Sequence, residues 1–215
     1  MIATTLMGKG ELAIRVAEWF LASPEHSLDR VVPVRPEPVW TESLVDWSRA
    51  RRVDLVESGD FREIRSEAPL DLVLSVFYDR IVDARFIARC GRILNLHNAP
   101  LPRYRGVSPI NWALANGERE HGVTIHEITE EIDAGPIVAQ TRFAIDAERD
   151  EVIDVYRRAL GQGWALFQET MPRLNEIRPQ PQDDSEATYY TAADGERLGE
   201  RRSFTRVTPL SQTYA

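Results

Sequence analysis

Residues 71–77 read DLVLSVF, a run that is apolar almost throughout after its opening acid. A strand facing water on one side alternates polar and apolar residues. A nearly continuous run needs cover on both faces, as in a parallel sheet between helices. The surrounding chain keeps the same rhythm. Residues 2–7 form a shorter apolar run ending at Gly8, and residues 28–34 are a second strand candidate. Between them Leu12, Val16, Phe20 and Ala13, Ala17, Leu21 recur at helical spacing. Residues 41–51 predict a helix with Thr41 as N-cap and with Leu44 and Trp47 on its inner face. Residues 84–90 predict another helix, and residues 93–97 a strand. Strands alternating with helices predict an α/β, Rossmann-like fold: a mostly parallel sheet flanked by helices, which binds ligands beyond the carboxyl ends of its strands.

The second half is more varied. Residues 98–107 contain Pro100, Pro102 and Gly106 and predict a loop. A helix follows over 108–116, with Ser108 as N-cap, Pro109 in the first turn and Gly117 after its end. Strands are expected over 122–128 and 137–145, with a turn at 133–136 between them, and a long helix over 151–177. Pro179, Pro181 and two adjacent acids then break the pattern. The expected layout is one catalytic domain over residues 1–178 and a short, partly ordered C-terminal extension over 179–215.

Composition narrows the function classes. A net charge of −8 lacks the basic face that a nucleic-acid partner requires. Cys90 stands alone, so an intrachain disulfide is impossible, and within ARFIARC it is expected to be a small buried hydrophobe. No apolar run approaches bilayer length, and Lys9 follows the first apolar stretch instead of preceding it as in a signal peptide. Together these features predict a cytoplasmic protein with no membrane partner. His26, His97, His121 and His126 match no zinc spacing, so no metal is expected. Trp164 and Phe167 on the long helix leave a homodimer open.

The stretch most informative about chemistry is NLHNAPLPRYRG, residues 95–106. A strand ends there in Asn-x-His, and alternation puts Asn95 and His97 on one side, at the carboxyl edge of the sheet. An amide N–H can serve a developing oxyanion, and an imidazole can accept or donate a proton near neutral pH. The plainer reading, in which Asn95 caps a turn and His97 is a satisfied core residue, loses weight because a long proline-rich loop follows the pair. Asp133 precedes Ala-Gly-Pro in GVTIHEITEEIDAGPIVAQ, residues 122–140. An Asp there is either a turn former or the partner that orients and charges His97.

Asn95-x-His97, LPRYRG, GVTIH and Asp133-Ala-Gly-Pro-Ile-Val-Ala-Gln occur here in one order. Together they resemble the N10-formyltetrahydrofolate-dependent formyltransferases, mostly over residues 71–145. NLHNAPLPRYRGVSPINWALANGEREHGVTIH is most similar to the sugar-nucleotide N-formyltransferases, and SVFYDRIV resembles the loop that holds the folate in those enzymes. The resemblance implies a transferase that moves a formyl group from N10-formyltetrahydrofolate to the amine of a small molecule, in the first place a nucleotide-linked amino sugar. Within that family glycinamide ribonucleotide is the other candidate acceptor. It implies Asn95, His97 and Asp133 as the catalytic trio. Tyr78, Asp79, Arg80, Ile81 and Ile132 are assigned to the folate. Lys9, Arg103, Arg105 and Gly106 are assigned to the acceptor substrate, although Arg103 and Arg105 read equally well as solvated surface arginines. Many members have Ser-Leu-Leu-Pro where this chain has Ala99-Pro100-Leu101-Pro102, so any role of that hydroxyl is missing.

A competing reading starts from Gly8-x-Gly10-x-x-Ala13, which fits the dinucleotide-binding turn between a strand and a helix. It would make the chain an NAD(P)-dependent oxidoreductase. That reading expects a ribose-binding acid near the end of the second strand. The candidates there, Arg35 and Glu37, lie among Pro33 and Pro36, and the trio is left unexplained.

Overall fold

The computed structural model describes residues 1–66 and 68–198. They fall into two compact units, residues 1–96 and residues 97 onward. The part of the expected C-terminal extension beyond residue 198 lies outside the described residues.

The first unit holds β1 (Ile2–Gly8), α1 (Gly10–Ala22), β2 (His26–Pro33), α2 (Leu44–Arg51), β3 (Asp54–Leu55), β4 (Leu70–Val76), α3 (Ala84–Ile87) and β5 (Cys90–His97), whose last residue begins the second unit. Its strands pair in parallel in the order β3-β2-β1-β4-β5. This is the α/β, Rossmann-like, mostly parallel arrangement that the apolar runs predict. Leu72, Val73, Leu74 and Val76 of β4 are all buried, as expected of a strand covered on both faces. The strand order reverses between β1 and β4, and such a switch point opens a crevice at the carboxyl ends of the strands.

The second unit contains β6 (Arg105–Gly106), α4 (Pro109–Ala115), β7 (Glu120–Glu127), β8 (Ile137–Ala144), α5 (Val152–Thr170) and β9 (Tyr189–Tyr190). β7 and β8 pair antiparallel, and β6 pairs with β9 in a small separate sheet. A capping box in which Glu151 and Asp154 each accept the other's backbone N–H starts α5.

Several element ends differ from expectation. Helix α2 begins at Leu44 with Ser43 as its cap, and the Thr41 hydroxyl instead accepts the Glu11 amide at the start of α1. Helix α3 closes at Ile87, so Cys90 opens β5 as a half-buried residue whose thiol meets the Phe86 carbonyl. Burial pushes that thiol up to about 11, which keeps it protonated and unreactive. The long helix stops at Thr170 because Pro172 cannot continue its hydrogen bonding. Phe167 is wholly buried and Trp164 stacks against it, so Phe167 belongs to the core.

Candidate active site

In the first unit, loops at the carboxyl ends of β1 and β4 carry two groups of the predicted residues. Lys9 caps α1 with its backbone, and its amine is held below the usual lysine range by burial, opposed by the charge of Asp79. Gly10, at φ 75°, makes the turn into α1. The Tyr78 hydroxyl donates to the Gly59 carbonyl at 2.5 Å, and Arg80 pairs with Asp60 at 3.1 Å. Ile81 is 71% exposed, a large apolar side chain turned to solvent beyond β4. Asn95 pairs in register with Ser75. It lies two residues before His97 on β5, and the period of a strand gives the two side chains a common side.

The competing dinucleotide reading fails at the second strand. Glu37, its candidate ribose acceptor, accepts hydrogen bonds from the Ser43 hydroxyl at 2.6 Å and the Val45 amide at 3.2 Å, so it serves the start of α2. Arg35 donates to Glu57.

In the second unit His97 and Asp133 come together. His97 Nδ1 lies 3.6 Å from Asp133 Oδ2, and its Nε2 is 3.0 Å from the Tyr104 carbonyl. A carbonyl only accepts, so Nε2 carries a proton. Nδ1 then faces the Asp133 carboxylate. His126, on β7, repeats the pattern: Nδ1 donates to the Glu127 carbonyl at 2.9 Å, and Nε2 lies 3.5 Å from Asp133 Oδ1. The Gly106 amide donates to Asp133 Oδ2 at 2.8 Å. Burial alone would raise the Asp133 pKa, but the charge of His97, the bond and charge of His126 and the Gly106 amide outweigh it. The carboxyl is held well below the usual range. Asp133 is therefore an anion throughout the neutral range. The two imidazoles take opposite oxygens of it, and among the described residues no group of three His, Cys, Asp or Glu could hold a metal ion.

Local structure explains how Asp133 gets there. It has φ 52°, the left-handed conformation that Asp tolerates better than most residues. Gly135 follows because any Cβ there would fall on the Glu127 carbonyl. The proline-rich loop is fastened to β7 and β8. The Thr124 hydroxyl accepts the Leu101 amide at 3.2 Å and donates to the Ala99 carbonyl at 2.7 Å, while the Gln140 amide donates to the Leu101 carbonyl at 2.7 Å.

The predicted substrate arginines already have protein partners. Arg103 pairs with Glu118, which also accepts the Tyr104 hydroxyl at 2.5 Å. Arg105 donates to Gln182 and, at 2.7 Å, to Asp184. Ile132 is 36% exposed next to Asp133. Trp112 is 5% exposed and stacks on Tyr190 at 4.2 Å, a core position. Sequence reading misses His126 as a partner of Asp133, Thr124 and Gln140 as loop anchors, and Gln182 altogether. The strand pattern in GVTIHE was the available signal for His126, since alternation gives Thr124 and His126 a common side.

The family model described as formyl transferase matches residues 39–171. The chain belongs to the formyl transferase family, and it is an enzyme that transfers formyl groups. Among solved structures it is similar to an N-formyltransferase from Helicobacter canadensis in complex with folinic acid and dTDP-3-aminofucose, with TM-score 0.79 and 27% identity over 90% of this chain and 72% of that one. It is also similar to WlaRD, a sugar 3N-formyltransferase in the presence of dTDP and 5-N-formyl-THF, with TM-score 0.80 and 25% identity over 90% and 71%. The formyltransferase PseJ from Anoxybacillus kamchatkensis shares the fold, with TM-score 0.68 and 24% identity over 98% and 96%.

Proposed function

We propose that this chain transfers the formyl group of N10-formyltetrahydrofolate to the primary amine of a nucleotide-linked sugar. The observation that carries this reading is the buried His97–Asp133 pair at the end of the strand that also bears Asn95. Support for the acceptor comes from the likeness to enzymes solved with dTDP or dTDP-3-aminofucose, and for the donor from the folates in the same structures.

The neutral amine attacks the formyl carbon, and the carbonyl oxygen becomes an oxyanion. The carbon–nitrogen bond to the folate then breaks, and the proton lost by the amine reaches the folate nitrogen. Asn95 donates an N–H to the oxyanion, a contribution of about 3 kcal/mol for one such donor. The N–H that His97 gives to the Tyr104 carbonyl is handed to the reacting oxygen, and the Asp133 anion stabilises the imidazolium. Tyr78, Asp79, Arg80, Ile81 and Ile132 face the folate in this reading, and Lys9 and Gly106 the acceptor. Arg103 and Arg105 shape the loop between Pro102 and Val107.

The test incubates the enzyme with N10-formyltetrahydrofolate and a panel of nucleotide-linked amino sugars, including dTDP-3-aminofucose, beside glycinamide ribonucleotide. Mass spectrometry follows the gain of one formyl group. Formylation of a sugar nucleotide alone is the expected result. Formylation of glycinamide ribonucleotide alone would overturn the acceptor class, and binding of NADH with none of 5-formyltetrahydrofolate would overturn the donor.

A further inference from the structure

Residues 180–190 follow the last residue that the family model matches, yet they are built into the surroundings of Asp133. At one end Gln180 and Ile137 exchange both backbone hydrogen bonds, at 2.7 and 2.8 Å, just after the Asp133 turn. At the other end β9 pairs with β6. The Arg105 amide donates to the Thr188 carbonyl and the Val107 amide to the Tyr190 carbonyl, both at 2.9 Å, and the Tyr104 amide donates to the Thr188 hydroxyl at 2.7 Å. Tyr190 lies between Trp112 and Tyr104 and stacks on both rings.

Gln182 stands between these two attachments. Its amide nitrogen donates to the Asp133 carbonyl at 2.8 Å and the Gly135 carbonyl at 2.7 Å. Its amide oxygen accepts from Arg105 Nε at 3.1 Å and Nη2 at 2.7 Å. Only this orientation of the carboxamide satisfies all four contacts, because the carbonyls need donors and the guanidinium needs an acceptor. One neutral side chain thus joins the turn carrying Asp133 to the loop segment that presents the Tyr104 carbonyl to His97 and the Gly106 amide to Asp133.

We infer that Gln182 is a positioning residue for Asp133, fixing the Asp133 turn against residues 104–106 so that carboxylate, imidazole and Gly106 amide stay in register. The role rests on the reading of His97 and Asp133 as formyl-transfer residues. A segment beyond the family match then completes the site. A carboxamide suits the task better than a carboxylate, which would hold Arg105 but repel the two turn carbonyls. A methionine would fill the space and hold neither side.

The test needs no substrate, so it stands apart from the outcome of the acceptor panel. In the full-length protein, NMR follows the Asp133 side-chain carboxyl carbon against pH, assigned by its loss in Asp133→Asn, together with hydrogen exchange of the Gly106 amide. The titratable and charged groups that face Asp133 include the imidazoles of His97 from β5 and His126 from β7, and the Arg105 guanidinium across Gln182. Both Gln182→Met and the milder Gln182→Asn leave all of them in place and add none. The expected result is a rise of the Asp133 midpoint toward the ordinary carboxylate range and at least tenfold faster Gly106 exchange in both variants. An Asp133 midpoint and Gly106 exchange unchanged from wild type in the variants would overturn the role, even if their thermal midpoints fall.

Discussion

Acid should destabilise this protein through His121, a residue with no part in the proposed chemistry. His121 lies on β7 with none of its surface exposed, between the rings of Tyr104 and Phe143. Its Nε2–H donates to the Asn98 carbonyl at 2.8 Å, and its buried Nδ1 meets no hydrogen-bond partner among the described residues. A second proton would have to sit on a buried Nδ1 that meets no acceptor among the described residues. Burial therefore lowers the pKa from 6.5 to about 4, with the Asn98 bond opposing and the charge of His97 assisting. Below pH 6.5 the unfolded chain takes up a proton that the folded chain refuses until about pH 4. Stability falls as pH drops through that window, and the loss levels off below it. At about 1.4 kcal/mol per pH unit the loss is about 3 kcal/mol, or roughly 6–12 °C in melting temperature for a chain of this size. Asp133 acts with the same sign in a lower window: its depressed pKa gives stability that is present above the ordinary carboxylate value and lost only as pH falls below it. His26, also lowered by burial, contributes to the same limb. The difference between wild type and His121→Gln isolates the effect, since glutamine can still donate to Asn98 and does not titrate. Urea unfolding at intervals from pH 7.5 to 4 should show the two stability curves converging by about 3 kcal/mol. Parallel curves would refute the reasoning.

Two further predictions concern the site and its support. Once an acceptor is known, His97→Asn and Asp133→Asn should each slow formyl transfer by a factor on the order of 10²–10⁴, and Asn95→Ala should cost about 3 kcal/mol of barrier. Circular dichroism should show the fold retained, and near-normal turnover in any of the three would remove that residue from the mechanism. Thr124→Val should destabilise by about 1–3 kcal/mol in urea unfolding, because the buried Leu101 amide loses its acceptor and the Ala99 carbonyl its donor. An unchanged midpoint would show that the proline-rich loop holds itself in place.

Much of the fold was legible because its signals are local and periodic. Apolar runs marked β1 and β4, residues 28–34 gave the strand candidate that is β2, and proline and glycine around residues 98–107 marked the loop. Ser108, Pro109 and Gly117 bounded α4 as expected, with Ser108 and Gly117 both in left-handed backbone. Helix ends were read less well, since Ser43 and Thr41 are equally good caps in a sequence, and the choice fell to which hydroxyl meets α1 and which meets α2. Strand period alone gave Asn95 and His97 a common side. It could not show that Asp133 reaches His97, nor that His126 takes the other carboxylate oxygen.

By itself the sequence determined the longer elements, the parallel character of four of the first five strands and the residue types available for acyl-transfer chemistry, because propensity, apolar period and turn chemistry act over a few neighbouring residues; the two-residue strands β3, β6 and β9 are too short to carry such a signal. Only the tertiary structure decided which groups meet around Asp133 and that Gln182, far along the chain, ties its turn to Arg105. Those contacts depend on how separate segments pack, and a hydrogen bond between distant residues leaves no periodic trace in the residues that make it.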